Sequence, residues 1–255
     1  MTTKLRSLYH GIQSPSNTAD HIKLCDDLLK RNENTVQGQT IADLFADALA
    51  ENAAFNYAHE RFLTHAERAN VQTVRTRVHD CLSSPQRNPI TVQLESQQYR
   101  FSYLGREFSP LRHLGLGWVD YFAKTDIRPV LGEVKCNDDK NPFYAFIQLL
   151  TYLSETATEN QIRRAQAHRE LQIDVTFPQP FDLHILLVDH QAFKPASTKH
   201  QLIDSTRRLA EQFKQALATR HPSAAAVVGN VLCLRLNSDA FDQVSPVSLD
   251  CIWAV

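Results

Sequence analysis

Three stretches of period-two hydropathy, closed by a helix start, constrain this chain more than any other feature. Ile90, Val92 and Leu94 alternate with polar residues, and Tyr99-Arg100-Phe101-Ser102-Tyr103 does so again after a polar turn at Ser96-Gln97-Gln98. Together they read as a hairpin or a bent strand, and residues 114–122 and 128–136 read as the next two strands. Asn141-Pro142 then supplies an N-cap side chain and a proline suited to the first helical position. Apolar spacing carries that helix to about residue 156, and a second helical stretch covers 159–171. An apolar strand at 181–189, a long amphipathic helix at 199–221 with Leu202, Leu209, Phe213 and Leu217 inward, and strands at 225–236 and 247–255 complete the order. Antiparallel strands followed by a crossover helix and another strand predict a mixed α/β sheet with helices on its faces.

The N-terminal third is different. Residues 1–40 are polar, with one short helix expected at 20–31, and residues 41–82 read as helix. Ile41, Leu44, Phe45 and Ala48 fall on one stripe, and Phe55, Ala58 and Phe62 continue an apolar face. This divides the chain into an N-terminal helical region, 1–85, which can supply the first core helix, and a core, 86–255.

Composition excludes several classes. Hydrophobic residues make up 43% of the 255, enough for an ordinary packed core. The apolar runs are too short to span a bilayer, and the first thirty residues lack the apolar segment of a secretory signal; a cytoplasmic protein without membrane contact is expected. Five scattered cysteines show no C-x-x-C spacing, which argues against a disulfide framework and a zinc ribbon. No G-x-S-x-G, Walker loop, G-x-G-x-x-G or H-E-x-x-H is present. Lys and Arg number 27 against 28 Asp and Glu, so any nucleic-acid contact must come from a local basic patch. Arg163, Arg164, His168 and Arg169 form one such patch, and Arg207, Arg208 and Lys214 another; for each patch alone, a solvated helix face is the favoured explanation over phosphate tracking.

The candidate chemistry lies on the two strands before the helix. With a two-residue tip at Thr125-Asp126, paired numbers sum to 251, so Asp120 faces Leu131 and Trp118 faces Glu133. Glu133 and Lys135 share the face of Leu131, so Asp120, Glu133 and Lys135 project from one side. Asp120 and Glu133 then become diagonal neighbours, about 7–8 Å apart at the backbone. A four-residue loop keeps this parity; a three-residue loop destroys it unless a bulge intervenes. Two carboxylates can hold Mg²⁺, with the Val134 carbonyl as a further oxygen, and a lysine beside them can orient a nucleophile or stabilise charge on a phosphate. A solvated amphipathic hairpin would carry the same charges, but Leu116, Trp118 and Phe122 share the face with Asp120, and charges among large apolar side chains are costly unless paired or metal-bound. Gly117 and Gly132 fall on the opposite face, where a helix could pack closely behind the site. On the following helix Phe143, Phe146, Ile147, Leu150 and Leu153 form the core stripe. Tyr144, Gln148, Thr151 or Tyr152, and Glu155 form a polar one, from which Gln148 and Tyr152 look back toward Lys135 or a substrate.

Gly117-Trp-Val-Asp120, Gly132-Glu-Val-Lys135 and Gln148-Leu-Leu-Thr-Tyr152, in this order and spacing, resemble the PD-(D/E)XK nuclease superfamily and more narrowly its RecB-like branch, which carries a Gln-x-x-x-Tyr motif. Leu116-Gly117-Trp118-Val119 precedes Asp120 where the superfamily name has Pro-Asp, a variation usual in that branch. The matched motifs cover about 40 residues, in a context compatible over roughly 90–190. The resemblance implies a restriction-endonuclease-like αβββαβ core with an N-terminal helical extension, and a Mg²⁺- or Mn²⁺-dependent endo- or exonuclease acting on DNA. Asp120 and Glu133 would be metal ligands, Lys135 the catalytic lysine, and Gln148 and Tyr152 helpers at the site or the DNA backbone. The first core helix of the family often adds an acidic residue or histidine, for which Glu60, Glu67, His59 and His65 are candidates. Some relatives hold a four-cysteine iron–sulfur cluster; the cysteine spacing here predicts none. The alternative is a nuclease-like fold without catalysis that binds nucleic acid or a protein. In either case residues 1–85 offer a surface for a partner or a second copy.

Overall fold

The computed structural model describes residues 3–13, 18–30, 39–54, 63–64, 74–94, 98–110, 119–136, 141–168, 177–188, 198–242 and 247–255. Its helices are α1 (Lys4–Gln13), α2 (Thr18–Lys30), α3 (Ile41–Ala53), α4 (Val74–Ser83), α5 (Pro142–Thr156), α6 (Glu159–Gln166), α7 (Thr198–Arg220) and the short α8 (Pro222–Ala225). Its strands are β1 (Leu63–Thr64), β2 (Ile90–Gln93), β3 (Gln98–Ser109), β4 (Val119–Lys124), β5 (Pro129–Cys136), β6 (Phe181–Val188), β7 (Val228–Leu236) and β8 (Ser248–Ala254).

The fold is a mixed α/β one, with a mixed sheet flanked by helices. β3, β4 and β5 form an antiparallel meander; α5 crosses over, and β6 runs parallel to β5. β7 lies parallel to β6, β8 returns antiparallel, and β2 joins β8 in parallel. β3 then pairs with both ends of this series. Its residues 98–101 pair with β2, and from Ser102 to Phe108 it pairs with β4, with a register shift between Tyr103 and Gly105. The pairings therefore run in a ring, which removes the free edges of an open sheet. β3 is long enough for this because it extends to Ser109, well past the stretch its alternation predicts.

The ring separates two apolar clusters. Val130, Val134, Leu186, Val188, Leu232 and Leu234 point inward, with Phe101 and Tyr121, and are covered by Val78 and Leu82 of α4. Leu131, Leu183, Ile185 and Leu187 point outward beneath α5, α7 and the N-terminal helices. The central parallel strands are thus buried on both faces, which is why β6 reads as a continuous apolar run.

α5 starts where the sequence indicates: Asn141 accepts from the Tyr144 amide, and Pro142 opens the helix. It is not a half-exposed amphipathic helix. All of its residues except Tyr144 are buried, because α1, α3 and α7 pack against it in addition to the sheet. The single helical reading of 41–82 is corrected. α3 ends at Ala53, the two-residue strand β1 pairs with Phe108 and Ser109 of β3, and α4 begins afresh at Val74. Thr40 starts α3 with a capping box, its hydroxyl accepting from the Asp43 amide and the Asp43 carboxylate accepting from the Thr40 amide. Polar residues 1–40 contain two helices where one was expected. Leu5, Leu8, Tyr9 and Ile12 of α1 are buried in the same cluster as α5 and the outer face of the sheet. No helix among the described residues is long and apolar enough to cross a membrane.

Candidate functional site

The β4–β5 turn is a four-residue connection, 125–128, closed by the Thr125 amide donating to the Arg128 carbonyl at 2.8 Å. The Thr125 hydroxyl accepts from the Ile127 and Arg128 amides, stabilising the tip. The register therefore differs from the one drawn for a two-residue tip. Tyr121 pairs with Gly132 and Phe122 with Leu131, so paired numbers sum to 253. Parity is kept, as a four-residue loop requires, but continuing this register one step sets Asp120 directly opposite Glu133 instead of diagonal to it. Directly opposed strand residues lie about 4.5–5.5 Å apart at Cα. Beyond the last ladder pair, the Asp120 carboxylate accepts the Val134 amide at 2.8 Å.

Glu133 and Lys135 extend outward from β5, on the side covered by α5. The Lys135 ammonium donates to Glu133 Oε1 at 2.8 Å and to Gln148 Oε1 at 3.2 Å. Gln148 donates through Nε2 to the Tyr152 hydroxyl at 3.0 Å. The row Glu133–Lys135–Gln148–Tyr152 thus ties the site strand to α5, and the four-residue spacing of Gln148 and Tyr152 lets them meet on one helix face. Lys135 Nζ also lies 4.7 Å from the centre of the Tyr144 ring, a cation–π contact. Burial, with Glu133 next in effect, holds the Tyr152 phenol well above its ordinary pKa, so Tyr152 is a neutral hydroxyl at any working pH. Asp120 acts in the same direction on Tyr152, which places both carboxylates within electrostatic reach of that phenol.

All five side chains are covered. Asp120 is 4% exposed, Glu133 and Lys135 2%, Gln148 6% and Tyr152 0%. The opposing carboxylates, with the Val134 carbonyl on the same strand, form a hard-oxygen donor set of the kind that holds Mg²⁺ together with waters. Among the described residues there is no group of three or more His, Cys, Asp and Glu side chains placed to hold a metal.

Behind the site, Gly132 is required, but a helix is not what approaches it. A Cβ there would come within 2.0 Å of the Tyr121 ring, which lies across the strand pair. Tyr121 in turn bonds His184 Nδ1 at 3.1 Å, and His184 Nε2 meets the Tyr99 hydroxyl at 2.9 Å, inside the ring of strands. Gly117, Trp118 and Leu116 lie outside the described residues, as do Glu60, Glu67, His59 and His65. The proposed basic patches are partly absorbed by structure: Arg164 bonds the Pro110 carbonyl, Arg163 and Arg207 pair with Glu159 and Glu211 one turn away, and Lys214 bonds the Val255 carbonyl. Arg169 lies outside the described residues.

Sequence reasoning passed over two residues of α1 beside the site. Arg6 is buried in an ion pair with Glu155, the last member of the polar stripe of α5. Tyr9 of α1 stacks on Tyr144, ring centres 5.4 Å apart and planes 15° apart, and the two hydroxyls are 3.1 Å apart. The signal was present: Leu5, Leu8, Tyr9 and Ile12 have the i, i+3, i+4, i+7 spacing of a helix that buries one face.

Comparison with known proteins adds no relative: no protein-family model, no curated protein and no solved structure matches this chain.

Proposed function

We propose that this chain is a divalent-metal-dependent nuclease that hydrolyses phosphodiester bonds, with DNA as its substrate. The observation that carries this reading is the juxtaposition of Asp120 and Glu133 on adjacent strands with Lys135 held between Glu133 and Gln148. The antiparallel meander, crossover helix and parallel strand support a restriction-endonuclease-like core, with α1 and α2 as an N-terminal addition. In this reading Asp120, Glu133 and the Val134 carbonyl hold Mg²⁺ or Mn²⁺. When bound, the ion supplies Lewis-acid polarisation of the phosphate and lowers the pKa of a water. Lys135 donates to the attacking water or to the charge that develops on the phosphate. Gln148 sets the position of the lysine, and Tyr152 sets that of Gln148. No iron–sulfur cluster takes part, and a cytoplasmic setting fits the reading.

The burial of all five residues favours a second reading, a catalytically silent nuclease-like module that binds nucleic acid or a protein through another surface. Metal dependence separates the two. Linear, circular and single-stranded DNA and RNA would be incubated with Mg²⁺, Mn²⁺ or EDTA, with Glu133→Gln and Lys135→Ala in parallel. Cleavage that needs the metal and is lost in both variants is expected. Binding of DNA that ignores EDTA and both substitutions, with no cleavage, would favour the silent module.

A further inference from the structure

We propose that α1 is a lid over the candidate site, held down by Tyr9 on Tyr144 and by Arg6 on Glu155, and that it must lift before a substrate can reach Lys135. The contacts are layered. Lys135 Nζ lies over one Tyr144 ring, and the Tyr9 ring stacks on that same tyrosine. Tyr144 and Glu155 stand at the two ends of the α5 stripe that carries Gln148 and Tyr152 between them, so α1 is fastened at both ends of the stripe. A phosphodiester cannot touch side chains that are 2–6% exposed; something must move, and among the described residues α1 is the element fastened across this face.

The fastening suits a cover that opens. A buried ion pair contributes little net stability, because the desolvation of both charges offsets their attraction. Burial pushes the Glu155 carboxyl up to about 7 despite Arg6, so near neutral pH the pair is only partly charged. α1 has ten residues and includes Gly11, an exposed helical position where an added Cβ would meet no heavy atom within 4 Å. A helix this short is marginal once detached, so lifting α1 also unwinds it. Opening should therefore respond to helix propensity as well as to the contacts with α5. As a cover over Lys135 this holds whatever the site does; as a regulator of cleavage it rests on the nuclease reading.

Two substitutions should move the lid in opposite directions. Tyr9→Ala removes the ring from Tyr144. Gly11→Ala favours the docked helix, since glycine is poorer than alanine in a helix interior. The readout is acetylation of Lys135 in the intact chain, followed by mass spectrometry, with exposed Lys124 as the internal reference. Expected are a rise of about tenfold or more in Tyr9→Ala and a fall of about threefold to fivefold in Gly11→Ala, the range set by aromatic-pair and helix-propensity energies. Lys135 protection that is the same in Gly11→Ala as in the native chain overturns the lid, and this variant folds at least as well as its parent. A rise in Tyr9→Ala matched by every buried group, signalling global unfolding, counts equally against it. DNA cleavage with Mg²⁺ is followed on unlabelled samples of the same proteins. Labelling that shifts as expected without cleavage in any sample leaves the lid and removes the nuclease reading. Cleavage with labelling indifferent to both substitutions does the reverse.

Discussion

The Asp120 carboxylate accepts the Val134 amide at 2.8 Å, across the strand pair and one step beyond the last ladder partners, Tyr121 and Gly132. A side chain thus occupies the place of a backbone acceptor where the two strands cease to pair. Asp120 Oδ2 is committed to the fold, and only part of its carboxylate is left to face Glu133. Structural and chemical roles of this residue should therefore separate on substitution. Asp120→Asn keeps an acceptor for the amide and should cost less than about 1 kcal/mol, whereas Asp120→Ala leaves a buried donor unsatisfied and should cost about 1–3 kcal/mol. Urea denaturation of the two variants measures the difference. Both should lose metal-dependent activity. An alanine variant as stable as the asparagine one would show that the hydrogen bond is not structural.

Lys135 and Glu133 are a buried pair, 2.8 Å apart. Removing one partner strands the other. Lys135→Met is expected to destabilise by about 3–5 kcal/mol, and most of that loss should return in the double variant Glu133→Gln/Lys135→Met. Additive losses in a double-mutant cycle would mean that the two side chains do not interact in solution.

Gly132 and Tyr121 fit only because one has no side chain. Gly132→Ala places a methyl group about 2.0 Å from a buried ring, and the strand pair must splay to admit it. Overpacking of this kind costs about 1–3 kcal/mol, more where nothing yields. The chemical-denaturation midpoint should fall without a change in m-value, and a neutral outcome would mean that the Tyr121 ring swings aside.

Two buried groups give stability opposite dependences on pH. Burial holds the His184 imidazole down to about 3 from an ordinary 6.5. Its contribution is complete above pH 6.5 and is lost as pH falls toward 3, about 5 kcal/mol in all. Glu155 is raised from 4.5 to about 7. Its contribution is complete below pH 4.5 and is lost as pH rises through 7, about 3 kcal/mol. Glu155→Gln should therefore make the protein relatively more stable with rising pH across 4.5–7 than its parent, by up to one proton's slope. Unfolding free energies at half-unit pH steps would reveal this, and parallel curves for the two proteins would refute it.

Much of the core and of the site was legible in sequence because it depends on neighbours along the chain. Strand alternation, the Asn141-Pro142 helix start and the four-residue spacing of Gln148 and Tyr152 are local relations. The parity that puts Asp120, Glu133 and Lys135 on one face follows from the two-residue period of a strand. Other features depend on residues far apart in sequence. The turn chemistry of Thr125 set a four-residue loop and so moved Asp120 from a diagonal to a direct neighbour of Glu133. The closure of the ring through β3 depends on one strand finding two partners at once. The alternation of residues 99–103 carries no sign of that. The cover of α1 over Tyr144 and Glu155 rests on contacts spanning well over a hundred residues. Period and capping chemistry determined the elements and the faces of this protein; which faces are covered, and by what, was decided only when the chain packed, because burial is a property of the whole fold.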